Sequence, residues 1–162
     1  QKPAQNLIGG VEAYSSRRKR MRVVIRLGGS VLASPPNPRL MAEYADLLRR
    51  LRGEGHELVV VVGGGEVARD FIRLAKQLGL SEPERDEVAI AISRVFAQLL
   101  AKKLGNLSHQ PPPTSVEEAR NALEEGRIVV MGGLKPGMTT DAVAALVAEA
   151  VEAKQYMSPH AQ

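Results

Sequence analysis

Three times in this chain a short apolar run ends in consecutive glycines. Arg22–Leu27 is followed by Gly28-Gly29, Leu58–Val62 by Gly63-Gly64-Gly65, and Arg127–Met131 by Gly132-Gly133. Each run is rich in Val, Ile, Leu or Met, as strands buried on both faces of a parallel sheet are. Segments of helical period lie between the runs and after the third. Strands alternating with helices imply right-handed βαβ units. The fold class expected is therefore α/β, a three-layer α/β/α arrangement with a mostly parallel sheet. In such sheets ligands bind outside the carboxyl ends of the strands. The three glycine turns would all lie there.

Helix boundaries are legible at several points. Asn37-Pro38 pairs an N-cap residue with proline at the first helical position, and Leu40, Tyr44, Leu47, Leu48 and Leu51 recur at helical spacing up to Gly53 and Gly55. A second helix is expected from about Glu66 to Leu78. A third spans roughly Glu84–Leu104, with Val88, Ile92, Val95 and Leu99 as its apolar stripe and Gly105 as its stop. Asn106–Ser108 reads as a brief strand and Pro111-Pro112-Pro113 as a rigid connector. Ser115-Val116-Glu117-Glu118 is a capping-box pattern that opens a short helix closed by Gly126. Asp141–Val151, rich in Ala and Val, is expected to be a largely buried helix. The organised domain is thus residues 21–153. Residues 1–20 read as a flexible extension ahead of a natural start at Met21, and residues 154–162 as an unstructured tail.

Charge narrows the partners. The 162 residues carry 22 Lys and Arg against 18 Asp and Glu, a formal net charge of +4. Lys2, Arg17, Arg18, Lys19 and Arg20, against Glu12, account for that excess and leave the rest of the chain electrically balanced. The surplus is a terminal run rather than a basic face, so a nucleic-acid partner is not expected. Phe71, Phe96, Tyr14, Tyr44 and Tyr156 are the only aromatic residues, too few for a base-stacking platform. No apolar run reaches membrane-spanning length, and the N-terminal segment lacks the order of a signal peptide. Zero cysteines exclude a thiolate metal site, a disulfide scaffold and a Cys nucleophile. His56, His109 and His160 are isolated from one another, so no metal site is expected. Together these features point to a cytoplasmic location.

Glycine turns at three neighbouring strand ends would let backbone N–H groups approach phosphate oxygens, with helix N-termini adding a positive dipole end. Single glycine turns more often serve only to reverse the chain tightly. Three on one sheet edge favour an anion-binding rim. Neither the Gly-x-x-x-x-Gly-Lys pattern of a P-loop nor the Gly-x-Gly-x-x-Gly spacing of a dinucleotide fold is present.

Met21–Ser30 (MRVVIRLGGS), Val59–Arg69 (VVVVGGGEVAR) and Val130–Ala145 (VMGGLKPGMTTDAVAA) resemble the amino-acid kinase superfamily, and within it the archaeal-type uridylate kinases. Asn37-Pro38 with its helix, and Asp86 with Ser93-Arg94, fit the same resemblance. It covers the chain from Met21 to about Ala153. The Pro136-Gly137-x-Thr139-Thr140-Asp141 loop is its most specific part.

The resemblance implies transfer of the γ-phosphate of Mg²⁺-bound ATP to UMP. It assigns ATP to Arg26, Leu27, Gly28, Gly29, Ser30, Gly65 and Arg69, with Arg26 as the catalytic charge. It assigns UMP to Gly64, Asp86, Leu134, Lys135, Pro136, Gly137, Met138, Thr139 and Thr140. It also implies a homo-oligomer, a hexamer of dimers, with the apolar face of the long helix as a contact surface. Arg26 stands where many relatives have Lys, and it is equally readable as a surface arginine. Arg69 and Lys135 are alternatively solvated charges, Asp86 a favourable helix N-terminal charge, and Thr139 or Thr140 an N-cap. Leu134 and Met138 replace Thr and His of relatives, and Phe96 replaces Asn. Lys154-Gln155-Tyr156-Met157 does not match the segment that follows in the family, so the chain reads as the N-terminal, acceptor-side part of such a kinase, with activity impaired. The alternatives are a non-catalytic nucleotide-binding or regulatory module, or an acetylglutamate, carbamate or isopentenyl phosphate kinase.

Overall fold

The computed structural model describes residues 20–32 and 35–159, with the side chains of Ser30 and Val31 left aside. The extension expected over residues 1–20 lies, but for Arg20, outside the described residues. Four strands form one sheet: β1 (Arg22–Leu27), β2 (Glu57–Val62), β3 (Val129–Met131) and β4 (Gln155–Met157). Their order is β3-β2-β1-β4, and every pairing is parallel. The helices are α1 (Gly29–Leu32), α2 (Pro38–Gly53), α3 (Gly65–Gln77), α4 (Glu82–Leu104), α5 (Val116–Glu124) and α6 (Thr140–Ala150).

Side chains alternate across a strand, and here the alternation divides the core in two. Val23, Ile25, Leu27, Leu58, Val60 and Val62 face a layer built from α2 and α4, where Tyr44, Leu48, Leu51, Phe96, Leu100 and Leu104 are buried. Val24, Val59, Val61, Val129 and Met131 face α5 and α6, where Ala119, Leu123, Val143 and Val147 are buried. This is the three-layer arrangement that the alternation of elements implies.

Three expectations are corrected. The tail is not unstructured throughout, because Gln155–Met157 pairs in register with Val23–Ile25. A three-residue strand in polar surroundings carries too little pattern to be read from sequence. Asn106–Ser108 is not a strand: Gly105–Leu107 is a 3₁₀ turn and only Ser108 bridges to Ile128. α6 buries one face, through Val143, Ala144 and Val147, while Ala142, Ala145 and Leu146 are exposed. Alanine is too small to reveal which face a helix presents to the core.

The stripe expected on the long helix is also displaced. The core-facing residues of α4 are Ser93, Phe96, Ala97, Leu100, Ala101 and Leu104. Val95 and Leu99 are half exposed, as are Phe71 and Leu74 on the adjoining α3, and Leu78, just past the end of α3, is more exposed still. α4 begins at Glu82 rather than Glu84 because Ser81 caps it in a reciprocal capping box with Glu84.

Candidate active site

The carboxyl ends of β1, β2 and β3 lie side by side; the first two glycine turns pack against one another, and the third packs against α4. A Cβ at Gly29 would fall onto the backbone N and Cα of Gly65, so the first two turns meet backbone to backbone. A Cβ at Gly63 would lie 2.9 Å from Gly29 N and 3.1 Å from Thr140 Oγ1. The turns after β1 and β2 and the start of α6 therefore converge. Gly64 caps α3 without a side-chain hydrogen bond, so no capping side chain covers the first N–H groups of that helix. Gly65 itself has φ of 60°, the left-handed region open to glycine at little cost.

Beside this junction is a cleft of about 360 Å³. It is lined by Gly64, Asp86, Lys135, Gly137, Met138, Thr139 and Thr140, together with Ser93 and Gly133 and parts of α3 and α4. Pro136 lines a smaller adjoining cleft with Asp86 and Gly137. Leu134 lines neither; it packs against the core beneath α5 and α6, as Met138 does in part. Of the residues assigned to ATP, none lines the larger cleft. The Leu27 side chain is fully buried in the core, which leaves only its backbone for any ligand; its carbonyl accepts from Gly63 N at 3.1 Å. Arg69 is exposed on α3, away from that cleft.

Local structure explains how the cleft walls are held. Thr139 is the N-cap of α6, its Oγ1 accepting from Ala142 N at 3.0 Å. Capping occupies the oxygen as an acceptor and leaves the hydroxyl proton available. Asp86, in the second turn of α4, accepts from Gly137 N at 3.0 Å through Oδ2. Its role as a mere helix-end charge is thereby ruled out as a complete account.

Arg26 is not a solvated surface arginine. Its Nε lies 2.7 Å from Asp141 Oδ1, and its side chain is 22% exposed. That Nε makes no hydrogen bond of good geometry, so the contact with Asp141 is one of charge. Nη1 donates to Ser158 Oγ at 3.2 Å, and the guanidinium lies against Gly28, where a Cβ would come within 3.2 Å of Nη1 and Nη2. Tyr156 Oη donates to Asp141 Oδ1 at 3.5 Å. Burial first, and then the negative charge of Asp141, raise the Tyr156 phenol above its ordinary range.

Sequence reasoning did not assemble this second cluster. Asp141 stands there at the end of the loop that marks the resemblance and at the start of a helix, with no partner assigned to it, and Tyr156 and Ser158 read as tail. Residues 86, 90, 93 and 94 do share one face of an α-helix. That signal was available for the contacts made by Ser93 and Arg94.

Residues 21–158 match the family model described as the amino acid kinase family. A uridylate kinase of Halorubrum lacusprofundi is 48% identical over 133 residues, which is 82% of this chain and 55% of that protein. One of Methanothermobacter thermautotrophicus is 47% identical, over 82% of this chain and 59% of that protein. The crystal structure of uridylate kinase from Archaeoglobus fulgidus superposes with a TM-score of 0.80 at 38% identity, covering 85% of this chain and 62% of that one. UMP kinase from Bacillus anthracis, 22% identical with a TM-score of 0.69, shares the fold. The chain thus spans little more than half the length of the curated relatives it matches. With the parallel sheet, the converging glycine turns and a family match running from β1 through β4, the chain belongs to the amino acid kinase family.

Proposed function

We propose that the chain is the acceptor-binding part of a uridylate kinase, which transfers the γ-phosphate of ATP to UMP. The observation that carries this reading is the composition of the cleft. Asp86, Lys135, Thr139 and Thr140 bring acceptors, donors and one positive charge to the strand ends beside the N-terminus of α3. A nucleoside monophosphate presents complementary groups: ribose hydroxyls for a carboxylate, and a dianionic phosphate for N–H groups, hydroxyls and an ammonium. Relatives named uridylate kinase, 47–48% identical over 82% of the chain, support the choice of UMP.

Phosphoryl transfer requires in-line positioning and charge neutralisation more than covalent chemistry. In this reading Arg26 supplies positive charge at the end of β1, and Asp141 holds its guanidinium in place. The Gly28-Gly29, Ser30 and Gly65 backbone and Arg69 are assigned to ATP. Among the described residues no group of three or more His, Asp or Glu is placed to hold a metal ion. Mg²⁺ is assigned to the phosphates of ATP, where it would neutralise charge.

Titration calorimetry with UMP, alongside ADP release in the presence of UMP, ATP and Mg²⁺, tests this. UMP is expected to bind and to be preferred over acetylglutamate, carbamate and isopentenyl phosphate. Heat from one of those acids or phosphates with none from UMP overturns the acceptor and leaves the family standing. A second reading, binding without turnover, is favoured by the lining of the cleft, which includes none of the residues assigned to ATP. UMP heat without ADP release would select it.

We also propose a homo-oligomer, supported by the apolar residues left half exposed on α3 and α4, and a cytoplasmic location, supported by the absence of cysteine. No helix among the described residues is long and apolar enough to cross a membrane.

A further inference from the structure

The loop between β3 and α6 has little internal support. Within it, only Met138 N donating to Lys135 O at 3.3 Å ties one residue to another. Its shape is instead imposed by α4. Ser93 Oγ accepts from Gly133 N at 2.8 Å and donates to Ile90 O at 2.7 Å. Arg94 Nε donates to Gly133 O at 3.1 Å and Nη2 to Leu134 O at 3.3 Å. A Cβ at Gly132 would stand 2.6 Å from Ser93 Oγ, so only glycine allows the loop this close to the helix.

We infer that Ser93 and Arg94 are positioning residues for the acceptor site, fixing the loop Gly133–Thr139 in its binding shape, Ser93 from the wall of the cleft and Arg94 from outside it. Arg94 does not line the cleft, and no carboxylate among the described residues lies within ion-pair distance of it. Its charge is spent on two successive carbonyl oxygens. A bidentate guanidinium is suited to that task, because its planar fork fixes both bond directions at once. Two consequences follow for an anionic acceptor. The carbonyls of Gly133 and Leu134 are engaged on the α4 side, where they do not repel a phosphate. The N–H groups and hydroxyls farther along the loop are held at a fixed distance from Asp86, the other α4 residue bonded to it.

This inference rests on the acceptor reading for its ligand but not for its structural content, and the test separates the two. Arg94→Ala is expected to weaken UMP binding by about tenfold or more and to leave binding of a non-hydrolysable ATP analogue unchanged. Without ligand, amide exchange should accelerate at Gly133–Gly137 and stay unchanged in β1 and β2. Arg94→Lys, able to reach one carbonyl but not to fork, should recover part of the UMP affinity. Ser93→Ala serves as a milder second probe and should show the same local exchange. If the unaltered chain does not bind UMP but the local exchange effect is seen, the acceptor reading fails and the positioning role stands. Unchanged exchange in the loop, unchanged UMP affinity, or acceleration spread across the whole sheet would each overturn the positioning role.

Discussion

Tyr44 stands in the α2 layer of the core with its hydroxyl buried and without a hydrogen-bond partner. Burial first, and the charge of Glu43 second, push its phenol far above the ordinary range. An unpaired buried hydroxyl costs about 1–3 kcal/mol in desolvation. Tyr44→Phe removes that cost while keeping the ring, so it is expected to stabilise the chain by about 1 kcal/mol in urea denaturation. A loss of stability would mean that the hydroxyl has a partner. Tyr44 as a core residue was legible from its place in the Leu40–Leu51 series. Its unpaired hydroxyl was not, since periodicity says which face is buried but not what atoms wait there. Arg26 teaches the same lesson. Its place at the end of β1 could be read, but the charge facing it, Asp141, arrives from a distant helix through packing alone.

At the scale of elements, α4 depends on its first turn. Ser81 Oγ accepts from Glu84 N at 3.3 Å, while Glu84 Oε1 accepts from Ser81 N at 2.8 Å. The bonds from the Ser81 backbone and then its hydroxyl hold the Glu84 carboxyl below its usual range. A lowered carboxyl contributes stability that is present above the unfolded value and is lost as pH falls through the folded value. Glu84→Ala removes the carboxylate that accepts from the Ser81 backbone N–H and is expected to destabilise the chain, with a deficit against the parent chain that shrinks as pH falls through the carboxylate range. Urea melts at a series of pH values measure this, and a pH-independent deficit would argue against the reciprocal bond. The glycine turns, α2 with its Asn37 cap, and β2 were plain in the sequence because caps and valine runs act locally. The stripe on α4 was misplaced because that helix is apolar on two faces. Periodicity finds apolar positions, but only the sheet decides that Phe96 and Leu100 turn inward while Val95 and Leu99 do not.

For the molecule as a whole, Phe71, Leu74, Leu78, Val95 and Leu99 place large apolar side chains on adjacent helices at the surface. Burying these side chains is what the proposed homo-oligomer would achieve. Leu74→Glu with Leu99→Glu is expected to shift the chain to a smaller species in sedimentation velocity without loss of helix content. An unchanged sedimentation profile would remove this face from consideration. The layering and strand direction were legible because alternating strands and helices leave few other arrangements. The site was legible in part: the turn residues announced themselves, whereas the contributions of Ser93, Arg94, Asp141 and Tyr156 come from tertiary contacts.

The position of β4 has a consequence for how the chain is made. Among the described residues β1 is the first strand in chain order, yet it is paired on both sides, and its second neighbour comes much later; Arg26 and Ser158, bonded across that boundary, are 132 residues apart. Until Gln155–Met157 emerge, the β1 edge at Val23, Val24 and Ile25 has no parallel partner. A nascent chain therefore carries an open strand edge at these three apolar residues until β4 has been made. Such an edge is vulnerable to adventitious pairing, and the three residues that end this exposure are among the least conspicuous in the sequence.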